Sequence, residues 1–293
     1  MNEAAVMRQI GFVGLGAMGS VMAPLLTRAG FSVVGFDTAP QRSDIADVDH
    51  ASTLADLAAC DSIITMLPNG AEVTTVATEL AKAGFRGLII DMSSSHPEDT
   101  TKLGKILAAQ GIRLIDAPVS GGVKKAEAGT LMVMAGGAED DIAAANAMLV
   151  CFGTMQHVGP LGAGHAIKAL NNYVSATGLL ASMQALATAE TFGITAEKFT
   201  SVINRSTGRN NTTEAKIIPF IASRRYDSGF FLRLMVKDVT IASELIANAG
   251  FEAPITSALN SYLATAEKTL GFDADHTKLY EMVNPTPRGF QSE

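Results

Sequence analysis

Short, continuous apolar runs separated by helical patterns fill the first half of the chain and most restrict what it can fold into. Ile10–Val13, Ser32–Phe36, Ser62–Leu67, Gly87–Met92 and Arg113–Ile115 read as strands, and several lack polar alternation. Such strands have both faces covered, as in a parallel sheet flanked by helices. Met18–Ala29, Ala71–Ala83 and Pro97–Gln110 supply the intervening helices, and Leu131–Ala135 and Met155–Val158 flank another at Glu139–Leu149. The alternation predicts a doubly wound α/β domain over 1–162.

From Gly164 onward the pattern changes, and no strand signal follows. Helical stretches continue at Ala166–Phe192, Ala196–Asn204, Thr212–Ser223, Phe231–Ala249, Pro254–Leu270 and His276–Val283, with Gly193 and Gly250 placed as C-caps. The expectation is a long connecting helix over 163–190, an all-helical domain over 191–293 and a loose tail at 284–289. A length of 293 residues suits two moderate domains.

Composition removes several function classes. The formal charge of −7, with no long basic run, argues against nucleic-acid binding. No stretch approaches the roughly 20 apolar residues that span a bilayer, and the residues ahead of Ile10 are too few for a secretory signal. Cys60 and Cys151 make neither a disulfide framework nor a four-ligand zinc site, and the five histidines are scattered. A reduced, cytoplasmic, metal-free protein is expected.

The first strand runs into Gly14-Leu15-Gly16-Ala17-Met18-Gly19 at the opening of a helix. In a dinucleotide site Gly14 permits the tight turn, Gly16 lets the backbone approach a pyrophosphate, and Gly19 allows close helix–strand packing. The helix N-terminus adds free N–H groups and positive dipole for the phosphates. Alone, this spacing also arises as a structural turn. Here Asp37 ends the second strand, where a carboxylate accepts hydrogen bonds from ribose hydroxyls and repels a 2′-phosphate. No arginine follows in Thr38-Ala39-Pro40, although Arg42 is close by, so NAD is expected rather than NADP.

Between Gly164 and Ala189, with His165 neutral, Lys168 is the sole charged side chain. A helical lysine is ordinarily a solvated surface group, but an ammonium on a largely apolar helix is costly to bury without a partner. Burial also lowers a lysine pKa towards neutrality, where it can shuttle a proton. Asn172, one turn on, is placed to hold both Lys168 and a substrate oxygen. Asp116-Ala-Pro-Val-Ser120-Gly121-Gly122 follows a strand at the ligand-binding edge of such sheets, and reads either as an anion nest for a carboxylate or as a glycine-rich turn. Lys124 and Lys125 beyond it are solvated charges or a second anion contact, and Asn210 and Asn211 are candidates for a polar substrate tail. Lys237-Asp238, by itself, reads as a surface ion pair.

Together, GFVGLGAMGSVMA, DAPVSGG, the GxxxKxxNN run of 164–172 and the late Lys237-Asp238 resemble the β-hydroxyacid dehydrogenase family over nearly the whole chain. Its members include 3-hydroxyisobutyrate, tartronate semialdehyde, threonate and sulfolactaldehyde enzymes. The resemblance implies a Rossmann domain, an interdomain helix, a helical C-terminal domain and a homodimer or homotetramer. It implies Lys168 as catalytic acid/base with Asn172 as partner, and Ser120, Gly121 and Gly122 on the substrate carboxylate. It also implies Leu67, Pro68, Ser94 and Lys237 along the cofactor; Ser94 stands where many relatives carry threonine. The expected substrate is a compact β-hydroxycarboxylate or its semialdehyde. The reading from another class is a non-catalytic cofactor-binding module, which survival of Lys168 and Asn172 disfavours.

Overall fold

The apolar runs become a sheet in the computed structural model of the protein, which describes residues 9–39, 42 and 45–285. Its elements run β1 (Gln9–Val13), α1 (Gly19–Arg28), β2 (Ser32–Phe36), β3 (Asp49–His50), β4 (Ser62–Thr65), α2 (Gly70–Lys82), β5 (Leu88–Asp91), α3 (Pro97–Ala108), β6 (Arg113–Asp116), β7 (Val119–Ser120), α4 (Gly122–Glu127), β8 (Leu131–Gly136), α5 (Glu139–Leu149) and β9 (Gly153–Gly159). They continue as α6 (Ala163–Thr191), α7 (Ala196–Ile203), α8 (Asn211–Ala215), α9 (Leu232–Asn248), α10 (Pro254–Leu270) and α11 (Tyr280–Val283). The chain divides into two units between Lys168 and Ala169.

In the first unit the strand order is β3-β2-β1-β4-β5-β6-β8-β7, with β9 also paired to β8. Pairing is parallel from β3 through β6, and β8 runs antiparallel to β6 and β7. Successive side chains point to opposite faces. Ile64, Ile90 and Ile115 therefore join one core with Met22 and Leu26 of α1 and Met148 of α5. Ile63, Ile89 and Leu114 join the other, with Leu80 of α2 and Leu107 of α3. Each such side chain, fully buried, contributes about 1.5–3 kcal/mol, which is why these runs carry no polar alternation.

In the second unit, α6 buries Ala169, Asn172, Ala176, Leu179, Met183 and Leu186. Their alternating spacing of three and four makes one continuous stripe. From Ala176 on, the stripe packs on Phe199, Ile217, Leu232, Met235, Val239, Leu259 and Leu263, while Ala169 packs with Ile241 and Ala242. Ile167 and Val174, on the same helix, are exposed. The single helix expected at Thr212–Ser223 is instead α8 followed by a π-helix, Ile217–Ala222. Pro219 has no N–H to continue an α-helical ladder, and the Ile221 N–H reaches back to the Lys216 carbonyl at 3.2 Å. Of the expected tail, residues 286–289 lie outside the described residues. Among the described residues no helix is long and apolar enough to cross a membrane.

Candidate active site

The chain order of the sheet reverses between β1 and β4, and that switch point is where open α/β sheets bind ligands. The glycine-rich turn leaves the carboxyl end of β1, Leu67 and Pro68 follow β4, and Ser94 follows β5, so these residues lie on successive loops of adjacent strands. The Leu67 N–H donates to Ser93 Oγ at 2.9 Å, tying the second loop to the third.

Glycine is needed where the turn is tight. Gly14 has φ +97°, and a Cβ there would run into the Met66 carbonyl, while one on Gly19 would strike the Gly14 carbonyl. Gly16 differs, because its Cβ would find nothing nearer than the Arg42 guanidinium at 3.7 Å. Open backbone at Gly16, with Ala17 exposed and Met18 half-buried at the start of α1, is a cradle that fits a pyrophosphate. Leu15 is buried beneath it. Asp37, just past β2, accepts the N–H groups of Leu15 and Ala39, each at 2.8 Å. Arg42 stands 3.4 Å from the same carboxylate, largely in solvent. The donor set fits an NAD-type dinucleotide, with the turn for its phosphates and Asp37 for a ribose.

Ser120 is half-buried at the end of β7, and Gly122 opens α4. Gly121 and Gly122 are exposed with φ +144° and +72°, so the stretch read as nest or turn is a strand end leading into a short helix. Lys124 and Lys125 are exposed on α4. Lys168 is half-buried near the start of α6. Among the described residues no cluster of histidine, cysteine and carboxylate side chains could hold a metal ion.

Asn172 is buried, and its side-chain amide donates to Asp238 of α9. Asp238 is buried too, with the half-buried Lys237 ammonium 4.0 Å away, so this pair is not a surface ion pair. Asn210 caps α8: its Oδ1 accepts the Thr212 and Thr213 N–H groups, and its Nδ2 donates to Ser182 Oγ and the Gly208 carbonyl. The Asn210 side chain is thus engaged in the cap, while Asn211 is exposed. The sequence pattern assigns no site role to Asp91, Asp116 or His165 and takes Asp238 only as half of a surface ion pair. Asp91 and Asp116 end strands like many turn residues, and nothing in the linear order shows that they converge on His165.

Comparison with known proteins bears on the whole chain. Residues 9–160 match a family described as the NAD binding domain of 6-phosphogluconate dehydrogenase, and residues 162–283 one described as NAD-binding of NADP-dependent 3-hydroxyisobutyrate dehydrogenase. The chain is 36% identical to 2-(hydroxymethyl)glutarate dehydrogenase of Eubacterium barkeri, over 85% of its own length and 86% of the relative's. It is 35% identical to the mitochondrial 3-hydroxyisobutyrate dehydrogenase of Drosophila melanogaster, over 97% and 91%. Among solved structures, Mycobacterium tuberculosis 3-hydroxyisobutyrate dehydrogenase with L-serine superimposes with a TM-score of 0.87 at 32% identity, covering 95% of this chain and all of that one.

Proposed function

The chain belongs to the β-hydroxyacid dehydrogenase family, and from that membership we propose that it interconverts a small β-hydroxycarboxylate of the 3-hydroxyisobutyrate type and its semialdehyde. It is an NAD(P)-dependent oxidoreductase, with NAD its cofactor. The observation that carries this reading is that similarity to a hydroxyacid dehydrogenase covers 97% of the chain, and to a solved structure of one 95%.

Bound NAD supplies the hydride acceptor on oxidation and, once reduced, the donor. The Gly14–Gly19 turn, with Leu15, Ala17 and Met18, holds the pyrophosphate; Asp37 holds a ribose; Leu67, Pro68, Ser94 and Lys237 are assigned to the cofactor by family resemblance. Ser120 and the amides of Gly121 and Gly122 grip the substrate carboxylate at the start of α4. Lys168 takes the hydroxyl proton during oxidation and returns it during reduction. Asn172, four residues along α6, orients the amine and the substrate oxygen. In functional terms the chain comprises a cofactor domain over 1–162, a connecting helix over 163–190 and a helical domain over 191–293, acting in the cytoplasm as a homodimer or homotetramer.

Substrates with a second anionic group form a narrower alternative within the same reaction. The exposed Lys124 and Lys125, directly after the carboxylate grip, favour it, and one relative is named for a dicarboxylate. Replacing Lys168 by Ala tests the mechanism: kcat falls by about 100-fold or more while the Kd for NAD is nearly unchanged. A variant that keeps half the activity would show that another group carries the proton.

A further inference from the structure

The start of α6 is tied to the sheet through a buried polar cluster that the mechanism above does not use. Asp91 and Asp116 end neighbouring parallel strands and stand opposite one another in register. They are 1% and 0% exposed, and His165, 1% exposed, enters beside both. Its Nε2 lies 3.6 Å from Asp91 Oδ2 and its Nδ1 3.7 Å from Asp116 Oδ2. Nδ1 is also 2.9 Å from Thr100 Oγ1. The same hydroxyl lies 3.2 Å from the His96 carbonyl, to which it donates.

Each carboxylate is anchored separately. Asp91 accepts from Thr65 Oγ1 at 2.9 Å, the Ser93 N–H at 3.0 Å and Ser95 Oγ at 3.1 Å. Asp116 accepts the N–H groups of Gly162 and His165, both at 2.7 Å. These amides, one just ahead of α6 and one in its first turn, lie where a negative charge is favoured by the helix dipole. Burial pushes the Asp116 carboxyl above its usual range, with His165 and the two amides pulling it back. Contact between helix and sheet is close enough to require glycine on both sides. A Cβ on Gly164 would run into the Met134 carbonyl, and one on Gly136 would meet Asp116 Oδ1 and the Gly164 nitrogen.

We propose that His165, clamped by Asp91, Asp116 and Thr100, is a positioning residue that fixes where Lys168 stands relative to the carboxyl edge of the sheet. Lys168 lies three residues further along α6, one turn on and on the same side. A slip or rotation of this turn displaces the amine directly, and a misplacement of about 1 Å lowers a rate by about 100-fold. Without His165, two buried carboxylates face one another at the start of the helix with no ring between them. A glutamine keeps a polar side chain there and a leucine does not.

The inference rests on Lys168 being the proton-transferring group, so the test separates the two ideas. In the full-length protein, His165→Leu, His165→Gln and Thr100→Val are compared with the parent. The readouts are kcat against pH, the Kd for NAD, hydrogen exchange over residues 162–168, and titration of the Lys168 amine by NMR after lysine-selective isotope labelling. His165→Leu is expected to lower kcat by about 100-fold with NAD affinity within about twofold of the parent. It also speeds exchange at 162–168 and moves both the Lys168 titration and the matching limb of the pH profile. His165→Gln recovers kcat to within about tenfold, and Thr100→Val shifts the same limb more weakly. Should His165→Leu fail to fold, the Gln and Val variants decide alone. Unchanged exchange and an unmoved Lys168 titration in the variants would overturn the clamp. A parent that turns over no hydroxyacid would overturn the dehydrogenase reading instead, leaving exchange and the NMR titration to judge the clamp.

Discussion

The side-chain amide of Asn172 donates to the Asp238 carboxylate across 2.5 Å, joining α6 to α9 inside a buried face of the second unit. Asp238 is 2% exposed, so it has little water to replace that donor. The contact fixes which way the Asn172 amide points, while Asn172 Oδ1 accepts from Asn171 Nδ2 at 3.1 Å.

Truncating Asp238 to Ala therefore leaves a buried amide donor without its acceptor and costs about 1–3 kcal/mol of stability. It also lowers kcat, because Asn172 loses its orientation. Asp238→Asn keeps an acceptor oxygen in place and is milder on both counts. Urea unfolding and initial rates check this. An Ala variant with parental stability and kcat would show that Asp238 does not hold Asn172.

The proposed preference for NAD rests on Asp37. Its carboxylate already accepts the Leu15 and Ala39 amides, so an additional anion beside it is unwelcome, while Arg42 at 3.4 Å partly offsets that charge. The parent prefers NAD to NADP in kcat/KM. Asp37→Ser shifts the ratio towards NADP by about tenfold, or ~1.4 kcal/mol, and Arg42→Ala shifts it further towards NAD. A parent that prefers NADP would contradict the reading of Asp37.

Lys216 makes stability depend on pH in a direction that can be worked out. Its ammonium donates to His276 Nε2 at 2.8 Å, with His276 Nδ1 3.0 Å from the Phe230 carbonyl. Burial pulls Lys216 from its usual 10.5 down to about 8, against the opposing pull of Asp275. Between those values the unfolded chain holds more protons than the folded one, so raising pH through that window stabilises the fold. Cys60, pushed by burial from 9.0 to about 11, acts in the opposite sense over its own window. The difference between the parent and Lys216→Met isolates the lysine. The parent gains on the variant by something on the order of 2 kcal/mol as pH rises through the window. Denaturation curves that keep a constant gap would show that Lys216 is not held at a lowered pKa.

Much of the fold was legible because its strands are buried on both faces. Runs such as Ser62–Leu67 and Gly87–Met92 announce a parallel sheet, and β4 and β5 fall inside them. The two-residue strands β3 and β7 are too short to carry any period. The break after α8 depends on one proline within an otherwise helical pattern. At the candidate site the Gly14–Gly19 spacing is readable because Gly14 and Gly19 each answer a backbone demand. Asp91, Asp116 and His165 are not, because their partners are set by strand order and helix docking, which no local spacing encodes. Asp238 was quoted only as half of a charged dipeptide; its burial against Asn172 follows from the packing of two distant helices.

The proposed reaction is the oxidation of a small β-hydroxycarboxylate held by its carboxylate. The most direct test is the initial rate of NAD reduction with 3-hydroxyisobutyrate, compared with its methyl ester under the same conditions. Esterification removes the anion while leaving the hydroxyl-bearing carbon intact, so donors at Ser120–Gly122 are left unpaired. The proposed reaction entails turnover of the acid and a kcat/KM for the ester lower by about 100-fold or more. Equal turnover of acid and ester, or no NAD reduction with any short β-hydroxyacid, would contradict it.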